Sequence, residues 1–323
     1  MLNGENLSSI FAQLPRIEKL SLSPHIARNI SIDILRLDNL HSAISGNKWF
    51  KLKYHLQSAT LAKKTEVLSF GGAYSNHLHA LAYVGYQLKF KTIGFVRGEL
   101  SGPLNSTLAD CKRWGMSLHW LDRQTYRRLA TEQGSASFVS EYPDAWVIPE
   151  GGEGKSGVRG VKELFSALCL GNTYDLVVCS VGSGTTMAGI VEGLSGREGE
   201  GSGSQVLGFS ALKGATDLDA RVKRHLSSSS SELWSICHDY HFGGFAKVNA
   251  LLLEFISVVH AQSGIWLDPV YTGKALFGLL DLLDKGLCKQ VSRILFVHTG
   301  GLQGWRGFPG EGPAVRDGKD RFS

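Results

Sequence analysis

The sequence predicts an α/β fold of parallel-rich, twisted sheets flanked by helices, and three observations carry that expectation. Short apolar runs of strand length alternate with helical patterns from residue 32 to residue 298. Strands that alternate with helices in this way pair in parallel and are covered on both faces. The runs feed glycine-rich turns at Gly71, Gly151, Gly182 and Gly300, at the carboxyl ends of strands, where parallel sheets bind ligands. Finally, 323 residues with 43% hydrophobic and 20% charged side chains give a globular chain long enough for two domains.

Residues 1–30 are amphipathic, contain Pro15 and Pro24, and carry no legible chemistry. Residues 32–37 alternate apolar and polar side chains and predict a strand, which leads to a turn and a helix opening at Lys48. Residues 66–70 predict the next strand and 78–88 a helix. The same reading gives strands at 91–96, 117–121, 145–149, 176–181, 206–211 and 293–298. Helices are expected at 105–114, 124–132, 156–168, 185–194, 248–260 and 273–284. The Gly/Ser/Glu-rich stretch 195–204 and the serine run 227–231 read as surface linkers, and the last 20 or so residues as a Gly/Pro-rich tail without an assignable role.

Composition excludes several classes. The formal charge is +5, with basic residues spread among acidic ones, and no stripe or recognition motif for nucleic acid appears. The five cysteines are odd in number and lack CxxC spacing, which fits free thiols in a reducing compartment better than a disulfide frame or a zinc site. No signal sequence and no apolar run of about 18 residues is present, so a cytoplasmic protein without membrane contact is expected.

The chemistry centres on Ser45-Gly46-Asn47-Lys48. Asn47 is a good N-cap, and Trp49, Leu52, Tyr54 and Leu56 begin an apolar pattern. Lys48 thus falls in the first helical turn, where the helix dipole disfavours its charge and favours the amine that forms a Schiff base. Gly182-Ser183-Gly184-Thr185-Thr186 joins a strand to a helix, and suits a phosphate by close backbone approach, helix N–H groups and hydroxyls. No Walker lysine follows, Met187 stands where a dinucleotide fingerprint has its third glycine, and strand 206–211 ends without a ribose-binding acid. A phosphate without a nucleotide is the better reading. Ser75-Asn76-His77 opens another helix with donors for a carboxylate or phenolate oxygen, although N-capping alone would also explain Ser75 or Asn76.

Five ordered motifs then resemble one family. Ser45-Gly46-Asn47-Lys48, Gly71-Gly72-Ala73-Tyr74-Ser75-Asn76, Gly182-Ser183-Gly184-Thr185-Thr186, Asp268-Pro269-Val270-Tyr271-Thr272-Gly273-Lys274 and His298-Thr299-Gly300-Gly301 resemble the pyridoxal-phosphate enzymes that include 1-aminocyclopropane-1-carboxylate (ACC) deaminases and D-cysteine desulfhydrases. The resemblance spans roughly residues 30–305 and implies the two-domain tryptophan synthase β-like fold (type II). A large cofactor-binding domain would comprise 1–46 and 158–323, and a smaller inserted α/β domain 47–157. It implies pyridoxal 5'-phosphate as cofactor, with Lys48 as its Schiff-base lysine and Asn76 on its ring oxygen. By the same resemblance Gly182, Ser183, Gly184, Thr185 and Thr186 hold the phosphate, and Thr299 approaches the pyridine nitrogen. Ser75, Asn76, His77 and Tyr271 fall at substrate-binding positions, with Ser75 and Tyr271 also candidates for acid–base work. No metal is expected, and a homodimer is.

The substrate expected is a small amino acid, most simply D-cysteine or a close analogue, cleaved to pyruvate, sulfide and ammonia. ACC deaminases typically have Glu at the position of Thr272, Leu at that of Thr299 and usually Tyr at that of Phe296. Losing a carboxylate and a phenol removes candidates for opening a ring that lacks an α-hydrogen. Phe245, after Gly243-Gly244, departs from both patterns. ACC deamination is the alternative, and a non-catalytic ligand-binding α/β protein a more distant one.

Overall fold

In a computed structural model, residues 15–22, 30–44, 46–131, 134, 138–170, 173–195, 204–227, 233–288, 290–308 and 312–313 are described. The expectations for Ser45, for most of the 195–204 and 227–231 linkers and for most of the tail lie outside the described residues.

Two sheets organise the chain. The larger contains β1 (Arg16–Lys19), β2 (Ser31–Arg36), β7 (Leu176–Val181), β8 (Gln205–Ser210), β9 (Trp234–Cys237) and β10 (Arg293–His298) in the order β1-β2-β10-β7-β8-β9. Only the edge strand β1 is antiparallel. The smaller, β3 (Glu66–Gly71), β4 (Lys91–Arg97), β5 (Ser117–Leu121) and β6 (Ala145–Val147), is wholly parallel in the order β5-β4-β3-β6. The expected parallel-rich twofold division is therefore present.

Every side chain of β7 is buried, because helices cover both faces. Leu35, Val177 and Val297 pack on one face with Val161 and Ile190, while Ile34, Val178 and Phe296 pack on the other with Ile256, Leu276 and Leu279. The two strands absent from the sequence reading, β1 and β9, are short edges with mostly exposed or half-buried side chains. In β1 the charged Arg16, Glu18 and Lys19 protect the edge from aberrant pairing and erase the apolar pattern that reveals a strand, while β9 is only four residues long.

The main helices are α1 (Lys48–Leu61), α2 (Asn76–Leu88), α3 (Ser106–Arg113), α4 (Arg123–Leu129), α5 (Lys155–Ala167), α6 (Thr185–Ser195), α7 (Leu218–Lys223), α8 (Ala250–Ser263) and α9 (Thr272–Asp284). A 3₁₀ segment, Leu302–Gly307, follows β10. Helix α5 joins the two halves by packing on both α1 and α6. At Gly160 of α5 a Cβ would sit 1.7 Å from the Phe50 carbonyl oxygen, so only glycine permits this approach to α1. The same packing holds the start of α1 beside the start of α6.

The described cysteines form no disulfide, and burial pushes the Cys111 and Cys179 thiols up to about 12. Among the described residues no helix is long and apolar enough to cross a membrane, and no cluster suits a metal ion.

Candidate active site between the two sheets

The turn before α1 is laid directly on the end of β10. Gly46 has φ +83°, and a Cβ there would lie 1.8 Å from the Thr299 carbonyl oxygen. The next residue, Asn47, donates its backbone N–H to that oxygen at 3.1 Å. Asn47 occupies the N-cap position but its side chain does not cap, contrary to the sequence expectation. Its Nδ2 donates to Thr186 Oγ1 at 2.8 Å, and its Oδ1 accepts from Lys48 Nζ at 2.7 Å. The bonds to Thr299 and Thr186 take precedence over a cap, and they bring three of the five motifs into contact.

Lys48 is half-buried, and its amine is lowered from 10.5 to about 8. Burial is the main cause, partly offset by the negative charge of Asp268. The direction matches the expectation, with desolvation as its main source.

Apolar patterning misassigned one neighbour and passed over two others. Tyr54 lies off the buried face of α1, with Arg159 3.9 Å over its ring. Lys51 and His55 take their place beside Trp49, Leu52 and Leu56 on the buried side. Lys51 Nζ reaches Ser183 Oγ at 3.3 Å, and Ser183 Oγ lies 3.0 Å from Thr185 Oγ1. Burial and the nearby Lys48 lower Lys51 to about 7, with Glu153 opposing. The missed signal was spacing: residues three apart share a helix face, so Lys51 follows Lys48 into the cleft. His55 is lowered to about 4 and His77 well below the usual imidazole range, chiefly by burial.

The 182–186 turn lies as predicted between β7 and α6. Gly184 has φ +86°, and a Cβ there would stand 2.9 Å from Val222 of α7. Its glycine is thus demanded by backbone conformation and by packing against α7. Across the turn, a Cβ on Gly182 would lie 3.2 Å from the Tyr271 ring.

On the opposing sheet, Ser75 is the N-cap of α2, accepting from Leu78 N at 3.2 Å. Asn76 Oδ1 accepts from Gln303 Nε2. His77 is buried, and its side chain turns to Ser69 Oγ at 2.8 Å, leaving Nδ1 without a hydrogen bond among the described residues. The expected substrate contact at His77 can therefore use its backbone N–H, while its imidazole is committed to Ser69.

Tyr271 stands at the start of α9 with no hydrogen bond to its hydroxyl among the described residues. Burial and the negative charges of Asp268 and Glu150 raise its phenol well above the ordinary range. Its ring meets Phe245 edge-on at 6.1 Å, and Phe245 is 46% exposed. Asp268 shapes this corner by accepting from the N–H groups of Val270, Tyr271 and Thr272 and from the Thr272 hydroxyl. Thr272 is consequently spent inside the turn, and Phe296 lies wholly in the core. Of the three positions contrasted with ACC deaminases, only Thr299 remains at the strand end facing the assembled motifs, its Oγ1 3.4 Å from Ser180 Oγ. Lys274 donates to the carbonyls of His241 and Gly244 and so pins the loop that bears Phe245.

Two parallel-rich sheets with a lysine of lowered basicity and glycine-rich strand ends between them have the tryptophan synthase β-like fold. The family model for the pyridoxal-phosphate dependent enzymes matches residues 17–300, and the chain belongs to that family, with pyridoxal phosphate as its cofactor. Its relatives place it in the branch that contains ACC deaminases and D-cysteine desulfhydrases. A Pyrococcus abyssi protein provisionally named 1-aminocyclopropane-1-carboxylate deaminase is 30% identical, covering 92% of this chain and 95% of its own. The Arabidopsis thaliana mitochondrial protein named bifunctional D-cysteine desulfhydrase/1-aminocyclopropane-1-carboxylate deaminase is 27% identical, covering 87% and 75%. Among solved structures, one described as an ACC deaminase homologue superposes with a TM-score of 0.78 at 27% identity, over 92% of each chain.

Proposed function

We propose that this enzyme cleaves a small amino acid bearing a β leaving group, D-cysteine or a close analogue, to pyruvate, sulfide and ammonia. The residues fit the cofactor: a half-buried lysine whose amine is lowered to about 8, a buried lysine beside paired hydroxyls at a helix start, and an Asn76 Nδ2 without a hydrogen-bond acceptor among the described residues. Bound pyridoxal phosphate supplies the electron sink that makes the substrate's α-proton labile.

The protein's residues do the rest. Lys48 anchors the cofactor and, once displaced by substrate, holds an amine that takes the α-proton. The N–H groups of the 182–186 turn, with Ser183, Thr185, Thr186 and Lys51, receive the phosphate. Thr299 faces the pyridine nitrogen with a neutral hydroxyl, and Asn76 faces the ring oxygen. The turn at Ser75, Asn76 and His77 binds the substrate carboxylate. Tyr271, kept neutral by its raised pKa, offers its hydroxyl as a hydrogen-bond donor to the departing thiolate. These roles rest on lobes bounded as 1–46 with 158–323, and 47–157. A homodimer in the cytoplasm is the assembly we propose.

The observation that carries the substrate choice is how few acid–base groups pack on Tyr271, whose nearby carboxylates are Asp268 and, at electrostatic range, Glu150. Phe245 covers Tyr271 without a hydroxyl, Asp268 is saturated by backbone donors, and Thr272 is turned inward. One amine and one phenol suffice to remove an α-proton and release a thiol. ACC has no α-hydrogen and needs additional help. The names of the relatives support ACC as the second reading. A screen of D-cysteine, L-cysteine, D-serine and ACC for sulfide, ammonia and 2-oxo acids tests the choice. D-Cysteine should exceed ACC at least about tenfold, roughly 1.4 kcal/mol in the transition state. Equal or faster 2-oxobutyrate formation from ACC would overturn it.

A further inference from the structure

We propose that Gln303 is a positioning residue that fixes which end of the Asn76 amide faces the cofactor, as the middle of a relay running Thr107, Gln303, Asn76. The inference rests on the reading of Asn76 as the ring-oxygen partner. Gln303 lies on the 3₁₀ segment after β10, in the larger half of the molecule, while Thr107 and Asn76 open α3 and α2 in the smaller.

An amide is symmetric in shape but not in chemistry, so its orientation must be read from its partners. The anchor is the Tyr74 carbonyl, which can only accept; Gln303 Nε2 lies 3.4 Å from it. The nitrogen of Gln303 is therefore on that side, and the same nitrogen donates to Asn76 Oδ1. At the other end, Gln303 Oε1 accepts from Thr107 Oγ1 at 2.7 Å, in a site where both residues are buried. With its oxygen occupied, Asn76 turns Nδ2 toward Gly301, where a Cβ would sit 3.1 Å away. The glycine leaves room, and the free donor is the polarity a phenolate oxygen requires.

The segment bearing Gln303 is itself fastened to the smaller half. Arg306 sends both terminal nitrogens to Asp110 Oδ2 at 2.7 Å, and His79 Nε2 lies 3.3 Å from the same oxygen. Correct polarity at the cofactor thus depends on the two halves being closed. Freed of Gln303, Asn76 could present either end, and opposite a carboxylate it would have to present its oxygen.

Gln303→Glu makes that inversion at nearly constant size. An ionised carboxylate only accepts, so it draws Asn76 Nδ2 inward and turns Oδ1 outward. An acceptor facing the ring oxygen favours its protonated form. In the cofactor-loaded variant at fixed pH, visible absorbance should fall in favour of the near-ultraviolet band, and the dissociation constant for pyridoxal phosphate should rise at least about tenfold. Thr107→Val, which removes only the far donor, should shift both readouts in the same direction by less, and serves if the first variant folds poorly. A mere clasp between lobes would lower the melting temperature of both variants and leave the band ratio of bound cofactor unchanged, which overturns the relay. A parent protein lacking any visible band when loaded would overturn the Asn76 reading itself and the relay with it.

Discussion

Replacing Lys51 with Met should move stability and cofactor affinity in opposite directions. The amine is buried, sits beside Lys48, and falls from 10.5 to about 7 in the folded protein. At about 1.36 kcal/mol per unit, holding that site costs the apo-protein up to roughly 5 kcal/mol at pH 7. The sign follows from proton counting. Between about pH 7 and 10.5 the unfolded chain binds a proton that the folded chain has lost, so this group makes apo-protein stability rise with pH across that window. Met fills similar volume without the charge, and after relaxation a gain of roughly 2 kcal/mol at pH 7 is expected, with a flatter pH dependence. Against the phosphate dianion the same amine makes a charge-assisted hydrogen bond worth about 1.5–3 kcal/mol. The variant should therefore bind pyridoxal phosphate about 10- to 100-fold more weakly. Calorimetry of the apo-protein at pH 7 and 9, with absorbance titration of cofactor, measures both. A Lys51→Met protein that is less stable without cofactor, or binds cofactor as tightly as the parent, would refute the reasoning.

Other expectations are independent of this one. Gly184→Ala should lower the unfolding free energy by about 1–2 kcal/mol from its positive φ alone, with contact against Val222 adding to it, measured by urea denaturation. Lys274→Met removes both donors that pin the loop at His241 and Gly244, so the KM for D-cysteine should rise several-fold while cofactor affinity holds; unchanged KM would mean the loop is fixed by other contacts. The rate at which Lys48 captures added pyridoxal phosphate should fall about tenfold per unit below about pH 8 and level above it, since only the neutral amine attacks. A rate still climbing beyond pH 9 would indicate an amine of ordinary basicity.

Much of this was legible in the residues because the fold repeats one grammar. Strands such as β7 and β10 announce themselves as unbroken apolar runs, and each feeds a glycine turn at a predictable edge. The 182–186 turn and Thr299 stand out because glycines clustered at the end of an apolar strand mark a close approach of backbone to a ligand or a neighbouring segment, and Lys48 because it follows Asn47 at the start of a helix. What escaped the reading was decided by distant partners. Asn47 looks like a cap, yet Thr186, far along the chain, claims its side chain. Lys51 and His55 are polar, so no hydrophobic pattern places them inside. Thr272 and Phe296 stand out in the sequence only as departures from the ACC deaminase pattern, and their surroundings come from Asp268, which takes the Thr272 hydroxyl, and from the core around Phe296. Gln303 belongs to no motif at all, since its importance comes from what it touches across the cleft.

The most direct test of the site is borohydride reduction of the cofactor-loaded protein, followed by peptide mapping. Basicity alone would select Lys51, whose amine is the more depressed of the two, at about 7 against about 8. Geometry selects Lys48, because Lys51 is drawn to Ser183 on the phosphate side while Lys48 lies beside Asn47 at the start of α1. The reduced cofactor should be recovered on Lys48, with Lys51 unlabelled. Label on Lys51 would contradict the assignment of the two lysines and the orientation of the cofactor built on it.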